Sequence, residues 1–249
     1  MTIAGDLDYA HARLCARFGR RPDELAWRSI EPIRGLPAFL DAARGQLFRP
    51  WIEAVTATAT PHEIEAALLA RRRALVSEVA QWMPQSWQPA VRWAGVAAEL
   101  PVLEHLSRGG EALPWMRDDA VYGELCGEAA HPPISGPLLP LAAGWRRPDG
   151  LLRTWRREWM RRLPRSGAGS KLLDALARVL ASQRFLAGTA PAVLPARRSL
   201  VARLETLFRR AAGDPAEAFV FLALSTLDLE RLRGELLRRA VFPTFGLAA

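Results

Sequence analysis

Apolar residues recur at helical spacing along most of the chain. After Thr60 they return at intervals of three, four or seven positions, as on the buried face of an α-helix. The members of this stripe are Ile64, Leu68, Leu75, Val79 and Trp82. Thr60, Pro61 and Glu63 favour the first turn of a helix, because they cap its free N–H groups or lack an N–H. The pattern predicts a helix from Thr60 to about Gln81.

A second helix is predicted between Ser86 and Leu106. Ser86 and Pro89 favour a helix start, and Gly109 with Gly110 favours its end. No segment alternates apolar and polar residues between turn dipeptides, as a half-buried β-strand would. The sequence therefore predicts an all-α fold, a multi-helix bundle.

Asp214-Pro215-Ala216-Glu217 repeats the helix-start pattern found at Thr60. The segment 219–224 is apolar on nearly every side, which is expected of a central buried helix. Thr226 and Asp228 predict a fresh cap and a separate helix over 229–237. The arginines near the end of that helix would complement its dipole. They are Arg231, Arg233, Arg238 and Arg239.

The chain is predicted to divide near its middle. The stretch 131–137 is the richest in proline and glycine, so we expect one helical half over 1–130 and another over 131–249, with a single domain as the alternative. A constant offset of 126 residues also pairs similar segments. The matched segments are 70–72 with 196–198, 89–90 with 215–216, 103–104 with 229–230 and residue 106 with residue 232. They predict duplicated helical halves, and the alternative is two capped hairpins drawn from one biased alphabet.

The 249-residue chain has a formal net charge of +8 and two cysteines. Half of its residues are apolar and 24% are charged, as in ordinary globular proteins rather than disordered or fibrous ones. Lys171 is its one lysine, so part of the arginine excess reflects compositional bias, although the excess still favours acidic partners. We expect Arg71–Arg73 and Arg197–Arg198 to form solvated faces. Neither a signal peptide nor a transmembrane segment is evident, which predicts a cytoplasmic protein, or one peripheral to the inner membrane.

The sequence lacks the common motifs of catalysis. It contains no H-E-x-x-H, no glycine-rich phosphate loop and no G-x-S-x-G. His11 and Cys15 stand four residues apart on one helix face and could supply two metal ligands. No third or fourth ligand is evident, so we expect these two residues to pack at a helix interface. The sequence predicts no enzyme activity, no cofactor and no metal.

The densest functional candidate is the arginine-rich and tryptophan-rich segment that ends at Leu163. On a helix, Leu152, Trp155, Trp159 and Leu163 share one face, and arginines form a neighbouring stripe. The predicted partner-binding residues are Arg153, Trp155, Arg156, Arg157, Trp159, Arg161 and Arg162. Such a helix could lie on an anionic membrane or bind phosphates. The alternative that we favour buries the tryptophans in the core and leaves the arginines in solvent.

Three short segments resemble the V-type and A-type ATPase family of C-type coupling subunits, which are called d-type in eukaryotes. They are Tyr9–Leu14, His62–Leu68 and Leu227–Arg233. The chain is shorter than is usual in that family, and Glu230 stands where its recurring motif has asparagine. The resemblance implies an all-α, non-catalytic protein of repeated helical units that couples the rotor stalk of a rotary ATPase to its membrane ring.

The sequence as a whole predicts a non-catalytic helical adaptor that docks onto a macromolecular complex. Its partners would be proteins, and a rotary-ATPase-like coupling subunit in a membrane-associated complex is one specific form of this function. The alternative is a basic helical protein that binds nucleic acid, whose affinity would fall steeply with salt.

Overall fold

The computed structural model describes residues 3–126, 134, 136–145, 147, 150–164, 171, 173, 174, 176 and 193–242. Within these residues all regular structure is helical and no strand occurs, which confirms the predicted all-α fold. The α-helices are α1 (Ile3–Phe18), α2 (Glu24–Ile30), α3 (Leu36–Arg44), α4 (Arg49–Ile52), α5 (Pro61–Trp82), α6 (Gln88–Gly95), α7 (Leu100–Ser107), α8 (Pro114–Asp118), α9 (Gly150–Arg162), α10 (Val193–Arg210) and α11 (Ala216–Val241). Short 3-10 helices occupy Val96–Glu99, Gly123–Leu125 and Gly136–Gly144. None of the described helices combines the length and the apolar character that crossing a membrane requires.

The chain forms two compact units, each built from three segments. The first unit comprises Met1–Arg21, Leu75–Arg92 and Leu163–Asp228, and the second comprises Pro22–Ala74, Trp93–Arg162 and Leu229–Ala249. Helices α5, α6 and α11 therefore contribute residues to both units. The predicted boundary between residues 130 and 131 lies outside the described residues, and the duplication of two halves stays a prediction.

An apolar core in the second unit gathers α2, α3, α4, the first part of α5 and the last part of α11. Its fully buried members include Ile30, Phe39, Leu40, Phe48, Ile52, Ile64 and Leu236. Each such side chain contributes about 1.5–3 kcal/mol by leaving water, so this core is the main source of stability for these short helices. Trp27 and Phe48 meet edge to face, with ring centroids 4.6 Å apart.

Several aromatic rings pack against one another in the core of the first unit. Phe18 of α1 stacks on Phe208 of α10 with centroids 4.2 Å apart, and Phe208 lies 6.5 Å from Phe221 of α11. Trp87 lies 6.3 Å from Phe219. The segment 219–222 and Leu224 are buried, so the predicted central helix is confirmed.

The first turn of α5 has the predicted cap. The Glu63 carboxylate accepts hydrogen bonds from the backbone N–H of Thr60 at 2.7 Å and from its hydroxyl at 2.9 Å. The N–H of Glu63 in turn donates to the Thr60 hydroxyl at 3.3 Å. These bonds lower the pKa of Glu63, with the backbone N–H of Thr60 as the largest cause. The reciprocal pattern is the capping box that the sequence predicts.

The prediction of a single helix from Ser86 to Leu106 is wrong, because the helix is interrupted in the middle of this segment. Helix α6 ends at Gly95, a 3-10 turn covers Val96–Glu99, and α7 then runs to Ser107. Pro101 explains the break, because it has no N–H to donate to the carbonyl of Ala97. The N–H of Leu100 donates to that carbonyl instead, in the tighter 3-10 pattern.

Helix α11 is continuous where the sequence predicts a new cap. The hydroxyl of Thr226 donates to the carbonyl of Leu222 one turn earlier, at 2.9 Å, so it does not cap a following helix. The Asp228 carboxylate binds the Arg21 guanidinium at 2.7 Å and 3.1 Å. Both side chains that could have ended the helix are therefore engaged elsewhere.

Arginines near the end of α11 bind other helices of the second unit rather than only complementing a helix dipole. Arg239 is 2% exposed and donates to the backbone carbonyls of Ile33 at 2.7 Å and Glu31 at 2.9 Å. Its guanidinium lies 3.9 Å from the centroid of the Phe39 ring. Arg231 bridges the carboxylates of Glu24 and Glu31. These bonds attach α11 to α2 and to the turn that precedes α3.

Replacement of Arg239 by methionine should destabilise the protein by about 3–5 kcal/mol. The methionine retains an apolar stem but leaves the backbone carbonyls of Glu31, Ile33 and Glu235 without the donor that they share. Urea unfolding followed by circular dichroism measures this change. Arg238→Met is the control, because the Arg238 side chain is mostly exposed and its ion pair with Glu235 should contribute less than about 1 kcal/mol. Equal effects of the two changes would contradict the prediction.

Candidate functional site

A close approach of two glycines fixes the start of α9. A β-carbon built on Gly144 would collide with the backbone of Gly150, and a β-carbon on Gly150 would collide with Gly144. The 3-10 helix that ends at Gly144 thus packs directly against the first turn of α9, and only glycine fits at the contact. This contact sets where α9 begins and how it is rotated within the second unit.

The predicted tryptophan face of α9 is mostly turned inward. Leu151, Thr154 and Trp159 are buried, Trp159 being 9% exposed, while Leu152 and Trp155 are half-buried. Compared with the predicted stripe of 152, 155, 159 and 163, the buried positions begin one residue earlier. The rotation follows from the glycine contact, because the hydroxyl of Thr154 also lies beside Gly144.

Reciprocal hydrogen bonds between Trp93 and Trp155 join α6 to α9. The indole N–H of Trp93 donates to the carbonyl of Trp155 at 2.9 Å, and the indole N–H of Trp155 donates to the carbonyl of Trp93 at 3.0 Å. Trp155 also stacks on Trp159, with centroids 5.7 Å apart. The guanidinium of Arg162 lies 4.5 Å from the Trp93 ring. Trp155, Trp159 and Arg162 therefore serve the packing of α9.

The opposite side of α9 is exposed and basic. We call it the α9 arginine face, and it consists of Arg153, Arg156, Arg157, Met160 and Arg161. These positions recur at helical spacing and so form one continuous surface. Glu158 is the one acidic residue of α9, and it pairs with Arg161 at 3.1 Å and with Arg162 at 2.9 Å. Met160 is 57% exposed, a large apolar side chain among cations.

Arg73, expected to be part of a solvated face, belongs instead to a polar network inside the second unit. It binds Glu99 at 2.8 Å and Asp119 at 2.6 Å, and the hydroxyl of Tyr122 donates to Glu99 at 2.7 Å. Burial would lower the pKa of Arg73, but its bonds to the two carboxylates raise it above the usual value. Burial, together with the charge of Glu99, raises the pKa of the Tyr122 phenol. The polar groups of this network form hydrogen bonds and ion pairs with one another. The network therefore stabilises the fold and offers no reactive group.

His11, Cys15 and Glu217 meet in the first unit, where α1 lies beside the first turn of α11. The Nδ1 atom of His11 is 2.8 Å from one Glu217 oxygen and 3.0 Å from the other. The Cys15 sulfur is 3.6 Å from Nδ1 of His11 and 3.7 Å from Oε1 of Glu217. The ligand atoms of the three residues all lie within 4.8 Å of one another. The sequence places His11 and Cys15 on one helix face and predicts no metal, and it gives no indication of Glu217 as their neighbour.

Glu217 of this cluster is 1% exposed, whereas Cys15 is exposed. Burial raises the pKa of Glu217, and the hydrogen bond from His11 opposes that rise. Partial burial, together with the charge of Glu217, raises the pKa of the Cys15 thiol. The sequence offers no reason to assign Glu217 to a site, because Glu217 belongs to a helix-start pattern. In such a pattern a glutamate normally binds the backbone at the start of its own helix. Its carboxylate does accept the N–H of Gly213 at 3.3 Å, but it also reaches α1.

Comparison with known proteins gives no relative: no family model, no curated protein and no solved structure matches the chain. The segments that resemble the rotary-ATPase coupling family lie within α1, α5 and α11. That resemblance stays a prediction from the sequence.

Replacement of Trp159 by alanine should cost about 3–5 kcal/mol of stability, because it empties a buried site. Met160→Ala is the matched control on the next residue, and it should change stability by less than about 0.5 kcal/mol. Chemical unfolding of the purified variants measures both. An unchanged stability for Trp159→Ala would contradict a packing role for this tryptophan.

Proposed function

We propose that the protein is a non-catalytic helical adaptor that docks through the α9 arginine face onto an acidic surface of a partner protein. The observation that supports the proposal is the division of α9 into two sides. Its tryptophans pack inside the second unit, while Arg153, Arg156, Arg157 and Arg161 remain exposed on one face. Guanidinium groups bind carboxylates through paired hydrogen bonds, so this face suits an acidic protein surface.

The rigid setting of α9 favours docking. The glycine contact at residues 144 and 150 and the reciprocal bonds between Trp93 and Trp155 hold the helix in one orientation. Its arginines are therefore presented together without the entropic cost of ordering a loop at the moment of binding. Charge complementarity would guide the encounter, and Met160 would supply apolar contact within the charged surface.

A protein partner is favoured over single-stranded nucleic acid by the position of the aromatic rings. Proteins that bind single strands stack bases on exposed aromatic side chains. On α9, Trp159 is buried, and Trp155 stacks on it while its indole N–H is bound to Trp93. The exposed side chain between the arginines is Met160, which offers no ring for stacking.

One specific form of this adaptor is a coupling protein of a membrane-associated rotary complex. It is supported by the resemblance of Tyr9–Leu14, His62–Leu68 and Leu227–Arg233 to the rotary-ATPase coupling family. In that form the protein would act in the cytoplasm and attach peripherally to a membrane complex.

A photo-cross-linking amino acid placed at Met160 tests the docking face in the cells that make this protein. We expect one defined protein to be cross-linked. The cross-linking yield should fall about tenfold or more when Arg153, Arg156, Arg157 and Arg161 are all changed to glutamine. A loss of only about 1.4 kcal/mol of binding free energy weakens the affinity tenfold. The matched control changes four exposed arginines outside α9 to glutamine. They are Arg20, Arg28, Arg49 and Arg203.

The control removes the same charge, so it should leave the cross-linking yield within about twofold if α9 provides the contact. Equal losses in the two variants would show a general attraction to charge and contradict a specific face. Mixed-sequence DNA and RNA, added to the purified protein at low and high salt, test the alternative. Binding that depends on the four α9 arginines and falls steeply with salt would replace the adaptor proposal with a nucleic-acid-binding function.

A further inference from the structure

We infer that His11, Cys15 and Glu217 form a zinc site that joins α1 to α11, with a fourth position open to solvent. The inference goes beyond the adaptor function, because it uses no residue of the α9 arginine face. It rests on the spacing of the three donor atoms, on their chemistry and on their different exposure.

The spacing of the donors suits a tetrahedral ion. Zinc bonds of about 2.3 Å to sulfur and about 2.0–2.2 Å to nitrogen or oxygen place neighbouring donors about 3.3–3.6 Å apart. The Cys15 sulfur lies 3.6 Å from Nδ1 of His11 and 3.7 Å from Oε1 of Glu217. The separation of 2.8 Å between His11 and Glu217 is that of a hydrogen bond. It would open by about half an ångström when an ion replaces the shared proton.

The donor set selects the class of metal. One imidazole nitrogen, one thiolate and one carboxylate suit zinc, whereas calcium and magnesium take oxygen ligands. His11 and Cys15 lie one turn apart on α1, which places them side by side on one face of the helix. Glu217 comes from a different helix, so an ion bound by all three would hold α1 against the start of α11.

The carboxylate of Glu217 places a negative charge in the buried part of the site. It is 1% exposed, and a buried carboxylate requires positive charge or strong hydrogen bonds to remain ionised. The bonds that it accepts from His11 and from the N–H of Gly213 meet part of this requirement. A divalent cation would meet the rest, and it would displace the protons of the thiol and of the shared hydrogen bond.

The geometry favours a shared ligand set over a nucleophilic cysteine and its histidine base. In such a pair the sulfur lies along the axis of one free ring nitrogen. The Cys15 sulfur is instead almost equally far from Nδ1 and Nε2, at 3.6 Å and 3.7 Å, and Nδ1 is bound to Glu217. Because Cys15 is exposed, its side chain has room to turn toward an ion held by the other two residues.

The exposure of the cluster leaves one coordination position to water. Cys15 is exposed and the His11 side chain is about one-third exposed, whereas Glu217 lies beneath them. Three protein ligands and a solvent molecule complete the tetrahedron. The ion would stabilise the first unit, because it binds the folded arrangement of α1 and α11 and not the unfolded chain.

Titration of the full-length protein with cobalt, as a coloured substitute for zinc, provides the test. We expect one cobalt ion per chain and a thiolate-to-cobalt charge-transfer absorption. Zinc should remove this absorption, and competition with a coloured chelator should give the zinc affinity. Cys15→Ser should abolish the charge transfer. His11→Gln and Glu217→Gln should each weaken zinc binding by about 100-fold or more, since even the loss of an outer-shell partner costs about 10–100-fold.

Cys126→Ser and His62→Gln are the matched controls, because they remove the other cysteine and an exposed histidine of α5. Both should bind zinc as the unchanged protein does. Circular dichroism checks the folding of every variant, and Cys15→Ser alters only an exposed side chain. The variant lacking the four α9 arginines should also bind zinc normally, so failure of the adaptor proposal would not affect this one.

The inference is overturned if the folded, reduced protein binds neither ion. Binding that produces no charge-transfer absorption, or that persists in Cys15→Ser, also overturns it. Rapid alkylation of Cys15 that depends on His11 and is unaffected by zinc would identify a reactive cysteine pair in place of the metal site.

Discussion

The packing of these helices depends on the hydrogen bonds and ion pairs of arginines inside the fold. In the second unit, Arg239 donates to two carbonyls that follow α2 and holds them beside α11. In the first unit, Arg21 binds Asp228 and Glu205, so the turn that follows α1 is attached to α10 and to α11. Burial raises the pKa of Asp228, and the hydrogen bonds and charge of Arg21 oppose that rise. The apolar cores supply most of the stability, and these directional bonds select one arrangement of the helices.

Arginines engaged within the fold limit how far the number of basic residues indicates a positive surface. Arg73, Arg231 and Arg239 are directed toward carboxylates or carbonyls inside the second unit, so the count of basic residues overstates the positive surface. Charge alone is therefore a poor guide to a partner. The α9 arginine face is a better guide to a partner than the net charge. The packing that turns the tryptophans of α9 inward also turns these arginines outward.

Local features of the fold could be predicted from the sequence, and features that depend on distant residues could not. The cap at Thr60 and Glu63 and the buried segment 219–224 follow from neighbours within a few positions. The continuity of α11 could not be predicted, because Asp228 resembles a cap until its partner 207 positions away is known. The rotation of α9 could not be predicted either, although Gly144 and Gly150 are only six positions apart, because nothing in the sequence shows that these two glycines touch.

The His11–Cys15–Glu217 cluster shows how a core can create a site that no motif announces. His11, Cys15 and Phe18 fall on one face of α1 at spacings of four and three, and Glu217 lies one turn before Phe221 on α11. Phe18 stacks on Phe208, which also contacts Phe221, so the aromatic core fixes the rotation of both helices. Once those rings are packed, His11 and Cys15 must face Glu217. The positions of the three donors are thus set by apolar packing a turn or two away, which is why the sequence offered only the pair on α1.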